Sequence, residues 1–220
     1  YCAALHFALG RHYYRQGLSA QAQQAFIRAR DMDRLPFRAP TNFNRILRQL
    51  ADDQDQVVLS DSEAAFAAAS PQGIIGSELI TEHLHPTVYG HYLIARTMVE
   101  TLVPDAISRD WGRAELDRLR PYEAYARRIG YTLAQQVDRR NALILMLKQM
   151  PYDQPPAILR QQIATLIRHQ LRDIPQLPAT EFAAFRGKGG GRFLWQMLEF
   201  VLPDESDALA RQLQILFPLT

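Results

Sequence analysis

Cysteine is nearly missing from this chain: Cys2 is the single one in 220 residues. That excludes an internal disulfide framework and any metal site built from several cysteines. Long apolar runs are missing too. The longest runs, Ala142 to Leu147 among them, hold six residues, against the ~18 or more that a membrane span needs. Charge of one sign is not in excess, with 25 basic and 23 acidic side chains for a net +2. No basic cluster with interleaved aromatics stands out, so nucleic acid is not indicated as a partner. Tyr1-Cys2-Ala3 is not followed by the charged-then-apolar pattern of a secretory leader. The chain starts without methionine and already inside a helical pattern, and we expect it to be the carboxy-terminal piece of a longer protein.

What is present is ordinary globular material, 47% hydrophobic and 22% charged, in a length that accommodates one or two domains. The first segment carries a helical-repeat spacing. His6, Leu9, Gly10 and Tyr13, then Gly17, then Ala22, Phe26 and Ala29 fit a tetratricopeptide hairpin. In such a hairpin the small Gly10 lets two antiparallel helices approach, Gly17 turns the corner, and Ala22 and Phe26 fill the groove. His6 stands where the repeat usually has an aromatic, and Arg34 where it usually has proline. A single hairpin cannot bury its own apolar face, so it needs a neighbour, either upstream or in Leu35–Leu50.

Asn44 to Leu50 continues as helix, ended by Asp52-Asp53-Gln54-Asp55. Gln56-Val57-Val58-Leu59-Ser60 reads as the one convincing strand. Glu63 to Ala69 reads as a helix with Ser62 at its N-cap, broken by Ser70-Pro71-Gln72-Gly73. A helix with Val88, Tyr92, Ala95, Val99 and Leu102 on one face follows and stops before Pro104. Beyond Asp105 everything reads helical: Ala114–Leu119, Tyr122–Met150, Ala157–Leu171, Phe193–Val201 and Ser206–Phe217, with Pro203 between the last two. Gly187-Lys188-Gly189-Gly190-Gly191 reads as a flexible joint; it fails as a phosphate loop because no Gly-Lys-Ser/Thr follows a spaced glycine. The arginines near 127–128 and 139–140 read as solvated faces. The expected organisation is therefore 1–55 as a repeat-like helical segment, 56–104 as a segment with one strand, a His-bearing loop and a closing helix, and 105–220 as a helical tail.

The chemistry concentrates in Glu82-His83-Leu84-His85-Pro86. Proline disfavours the helical conformation for the residue before it, which holds His85 in a loop with Pro86 at the first turn of the next helix. From three positions upstream, Glu82 can reach one imidazole nitrogen and leave the other pointing outwards. An imidazole so placed can take a proton from a hydroxyl and return it to a leaving group, while the carboxylate fixes the tautomer. The same pattern also occurs as a helix-capping loop with a solvated carboxylate. A zinc reading of Glu82, His83, His85 and His91 needs three or four convergent ligands, whereas neighbours on an extended turn alternate sides; we expect no metal and no cofactor. His6, His12 and His169 read as structural. Residues 57–104 hold five acids and one base, which favours a neutral substrate over an anionic one.

Glu82-x-x-His85-Pro86 followed by Gly90 and Ala95 resembles the last block of the SGNH (GDSL-type) esterases and acyl hydrolases. Together with the repeat spacing, the run from Arg30 to Pro40 and the stretch Tyr125 to Tyr152, it resembles the bacterial branch that carries tetratricopeptide helices. The resemblance covers about residues 1–155 and fades after that. It implies a mainly α chain made of a tetratricopeptide-like hairpin and the C-terminal fragment of an α/β hydrolase domain. It also implies His85 as general base then acid, Glu82 as its orienter, and an acyl-ester small molecule or acylated glycan as substrate. The family usually has Asp where Glu82 stands. The chain holds no Gly-Asp-Ser nucleophile block and no Gly-x-Asn oxyanion block; Asp61-Ser62 has no preceding glycine and follows the expected strand. The resemblance thus implies a nucleophile outside these residues, in a bacterial cytoplasmic or membrane-anchored parent. The alternative is a non-catalytic helical scaffold that binds a protein partner through the repeat.

Overall fold

The computed structural model describes residues 2–34, 36–82, 84–105, 118–149, 156–201 and 203–218. Among these the architecture is mainly α, with eleven α-helices and no strand. The chain divides into two compact units, Tyr1–Ala124 and Tyr125–Thr220.

The first unit opens with α1 (Ala3–Arg15) and α2 (Ser19–Asp31). Gly17 sits at φ +74° in the three-residue corner between them, a left-handed conformation that costs glycine nothing. The Phe26 ring lies where a Cβ on Gly10 would be, 2.7 Å from that position, and Phe7 stacks at a tilt on Phe26 with ring centroids 5.6 Å apart. The buried face of α2 is Ala22, Ala25 and Ala29, so the helices approach closely on small side chains.

Helix α3 (Thr41–Asp53) and helix α4 (Ser62–Ala69) join this hairpin through charge. Arg30 reaches Glu63 at 3.0 Å and Thr41 Oγ1 at 2.7 Å. Asp31 accepts from the Thr41 backbone N–H at 2.9 Å, so the end of α2 caps the start of α3. Arg48 bridges Asp61 at 2.9 Å and Glu63 at 2.8 Å. Burial pushes the Glu63 carboxyl up, but hydrogen bonds from Arg48 and Arg30 outweigh it and hold the group below the usual carboxylate range. The apolar residues of α3 are left exposed, Phe43 at 62%, Ile46 at 55% and Leu47 at 49%. Helix α5 (Val88–Asp105) ends the described part of this unit before residue 118.

Three expectations are corrected here. Gln56–Ser60 forms no strand, because a strand exists only through partner strands and the described residues supply none. The N-cap of α4 is Asp61, whose side chain accepts from Ala64 N at 2.9 Å, and Ser62 is the first helical residue. Helix α5 continues to Asp105 through Pro104; a proline in a final turn forfeits one backbone bond and does not stop the helix short.

The second unit is α-helical, and the expected Tyr122–Met150 helix is broken in it. Helix α6 (Tyr122–Arg128), inside which the division between the units falls, ends as Gly130 adopts φ +71° and Tyr131 N bonds back to Ala126 O at 2.9 Å. This is a glycine C-cap that satisfies the last carbonyls. Helix α7 (Leu133–Gln149) starts afresh and packs on α8 (Pro156–Asp173). Helices α9 (Ala179–Gly187), α10 (Gly190–Met197) and α11 (Pro203–Leu216) close over a core centred on Ile163, Ile167, Leu194 and Leu213. Expected helix Ala114–Leu119 lies almost wholly outside the described residues.

Glycines 190 and 191 are not a flexible joint. Both are buried in α10. A Cβ on Gly191 would meet the Phe217 ring at 2.6 Å, and one on Gly190 would collide with the Phe185 ring. Arg140 is not solvated either: it is 18% exposed and pairs with the buried Asp173 at 2.7 Å. Gln170, fully buried, donates to Val137 O and Asn141 Oδ1, both at 2.7 Å, and accepts from Arg140 at 3.3 Å. Arg140, Asn141, Gln170 and Asp173 thus satisfy one another between α7 and α8.

Candidate functional site

The Glu82–His85 turn is built on Leu79, which is fully buried. Leu79 N and Ile80 N both bond to Gly76 O, at 3.1 and 3.0 Å, closing a turn below the site. The chain then leaves and returns. Ile80 and Pro86 form an isolated antiparallel bridge, flanked by Thr81 N to His85 O and Thr87 N to Leu79 O, each at 2.8 Å. Pro86 is therefore in the neck of the loop and not in the first turn of α5, as the sequence suggested. The reason is local: the flanking residues make the ladder bonds, so a residue with no N–H fits between them.

Within the loop the structure brings the two expected residues together. Glu82 accepts backbone N–H groups from Leu84 at 2.7 Å and His85 at 3.2 Å. Its Oε1 also contacts Nδ1 of the His85 ring. A carboxylate can only accept, so the arrangement places the proton on Nδ1 and leaves Nε2 as a lone-pair site. The exposures differ sharply: the Glu82 side chain is 5% exposed and the His85 side chain 69%. The acid is part of the protein floor, and the imidazole stands above it in solvent. Among the described residues no group bonds Nε2. Chemically the pair can accept a proton at Nε2 and stabilise the resulting imidazolium from below.

The helix that follows fixes the loop from its other side. The Thr87 hydroxyl accepts from Gly90 N at 3.0 Å, as an N-cap does, and donates to Glu78 O at 2.9 Å. Gly90 is buried against the Leu79 carbonyl, where any Cβ would collide, with Pro86 Cβ and the Phe66 ring next nearest, at 3.0 and 3.3 Å. The sequence reading singled out Gly90 without its packing role and missed Thr87 and Glu78. A threonine just before a helix is itself a capping signal that would have found the first of them.

Of the remaining candidates, His91 is exposed on α5, with Nδ1 against Thr87 O at 2.9 Å. His83 lies outside the described residues. Among the described residues no group of three His, Cys, Asp or Glu side chains is placed to share a metal ion. Among the described residues no helix is long and apolar enough to cross a membrane. No family model matches this chain, and no curated protein or solved structure matches it.

Proposed function

We propose that this chain supplies the histidine and acid of an SGNH-like ester hydrolase, with the serine nucleophile carried by polypeptide outside these 220 residues. In this reading His85 Nε2 takes the proton of the attacking serine hydroxyl and returns it to the departing alcohol. Glu82 holds the ring in the required tautomer and balances the imidazolium. The substrate class is an oxygen ester of a small acyl group, on a small molecule or a glycan. The observation that carries the proposal is the pairing of a buried carboxylate with one nitrogen of a solvent-facing imidazole, in a loop that leads directly into a helix. The acidic balance of residues 57–104 supports a neutral substrate.

The test has two arms. The purified 220-residue chain should give only background on an activated acetyl ester; turnover that disappears in Ser62→Ala would place the nucleophile here and overturn the proposal. In the protein that contains the nucleophile, His85→Ala should remove nearly all hydrolysis and Glu82→Ala a smaller part, on the order of 10²-fold or more. Full activity in His85→Ala would end the hydrolase reading.

A second reading has its own support. Phe43, Ile46 and Leu47 stand exposed on one helix, and a contiguous apolar face of that kind marks a contact surface. A helical scaffold that binds a protein through α1–α3 would be indifferent to His85→Ala and sensitive to Ile46→Asp, and a pull-down with both variants separates the two readings.

A further inference from the structure

Thr87 and Glu78 do no chemistry in the proposed reaction, yet they stand where the neck of the His85 loop is tied off, next to the Thr81 N to His85 O bond. Thr87 holds several groups at once. Its N–H bonds Leu79 O at 2.8 Å, its hydroxyl donates to Glu78 O at 2.9 Å and accepts from Gly90 N at 3.0 Å, and its carbonyl accepts from His91 N at 2.9 Å. It lies two residues beyond His85, at the point where the loop neck meets α5. Glu78 braces the other side of the neck. Its Oε1 accepts from Ser70 Oγ and Gly76 N, both at 2.9 Å, which ties the neck to the end of α4. Ser70 is itself buried.

Inside the loop, Glu82 accepts from Leu84 N and His85 N, and Thr81 N bonds His85 O. His85 is exposed and Leu84 is 43% exposed, so side-chain packing does not fix where the imidazole sits. A short turn without packing keeps one shape only if its ends are held. A misplacement of a catalytic group by about 1 Å is enough to cost on the order of 10²-fold in rate.

We propose that Thr87 and Glu78 are positioning residues: through the loop neck they hold Nδ1 of His85 against Glu82 and thereby fix the tautomer that keeps Nε2 unprotonated. Their catalytic importance rests on the hydrolase reading; their control of the ring does not. Without the brace the loop retains its sequence but the imidazole exchanges between tautomers, and the fraction poised to accept a proton falls.

The experiment measures the ring nitrogens directly in the 220-residue chain. With 15N-labelled histidine above the pH of imidazole protonation, His85 should show one protonated nitrogen, Nδ1, and one bare nitrogen, Nε2, with widely separated shifts; His85→Asn assigns the signals. In Thr87→Val, which keeps the side-chain shape and loses both hydroxyl bonds, the two shifts should draw together. Thr87→Ser should restore the separation. Glu78→Ala should shift the signals in the same direction as Thr87→Val, and it serves alone if Thr87→Val does not fold, as judged from the backbone amide spectrum. A folded Thr87→Val or Glu78→Ala with the unaltered signature overturns the proposal, as does a parent chain in which Nδ1 carries no proton. Expected nitrogen shifts together with an undiminished esterase in His85→Ala would leave the positioning intact and remove the hydrolase reading.

Discussion

Gly90, in the first turn of α5, lies so close to the Leu79 carbonyl that a β-carbon there would overlap the oxygen. The oxygen belongs to the backbone of the His85 loop and is already committed to Thr87 N, so it cannot step aside as a flexible side chain would. Gly90→Ala should therefore cost about 1–3 kcal/mol, although alanine is ordinarily the better helix former. Chemical denaturation should show an earlier midpoint, and the His85 ring signals should move with it. A variant as stable as the parent would mean that the helix does not seat on the loop.

Asp61 and Ser62 are neighbours with different jobs. Asp61 caps α4 through Ala64 N and pairs with Arg48; its carboxyl is held below the usual range by the Arg48 hydrogen bonds, against the opposing effect of burial. Asp61→Ala should cost about 1–2 kcal/mol, while Ser62→Ala should stay within about 0.5 kcal/mol. Thermal unfolding of the two variants side by side measures the contrast, and a reversed order would return the cap to Ser62.

Gly191 tests whether the glycine run is a joint or a packing surface. If it were a joint, alanine would be harmless. With the Phe217 ring 2.6 Å from the site of the new carbon, and that ring stacked on Phe182 at 5.7 Å, Gly191→Ala should lose about 1–3 kcal/mol. The Trp195 indole, which donates to Phe217 O at 2.9 Å, gives the readout: its N–H resonance should shift in the folded variant.

Asp173 makes the second unit sensitive to acid. Burial alone would raise its carboxyl, but Arg172 and Arg140 outweigh burial and lower it. A native value below the unfolded one means that the stabilisation is complete above the ordinary carboxylate range, near pH 3.9, and disappears as pH falls through the native value. Asp173→Asn should cost about 3 kcal/mol at neutral pH, since Arg140 is left with its charge mostly buried. Urea midpoints of parent and variant should converge as the pH is lowered below 4. Parallel midpoints across that range would dismiss the carboxylate as the cause.

How far the sequence could be read depended on how local each feature is. Gly10, Gly17 and Phe26 announce the α1–α2 hairpin because its spacing is complete within thirty residues. Glu82 and His85 were legible as a pair because three positions and a proline suffice to bring them together. The failures are the non-local ones. Val57 to Ser60 has strand chemistry, but a strand needs partners that no local pattern can supply. Gly190 and Gly191 look like a linker until Phe185 and Phe217 arrive, the latter from 26 residues downstream. Arg140 looks solvated until the fold brings Asp173 beside it. Gly130, by contrast, was local evidence for a break inside the expected Tyr122–Met150 helix.

The alanine face of α2 has a consequence for how the two halves of the chain respond to dissolved ions. Three methyl groups contribute little transfer free energy; Arg30 on Glu63 and Thr41 ties the hairpin to α3 and α4, and Arg48 on Asp61 and Glu63 ties α3 to α4. Arg48 is 42% exposed, and Asp61 and Glu63 are about a third exposed. Mobile counterions screen such half-wet charges at short range. In the second unit the aliphatic and aromatic interior around Ile167 and Leu213 carries no charge, and the buried Arg140–Asp173 pair is screened much less. Brine therefore loosens the amino-terminal helices while leaving the carboxy-terminal bundle tight.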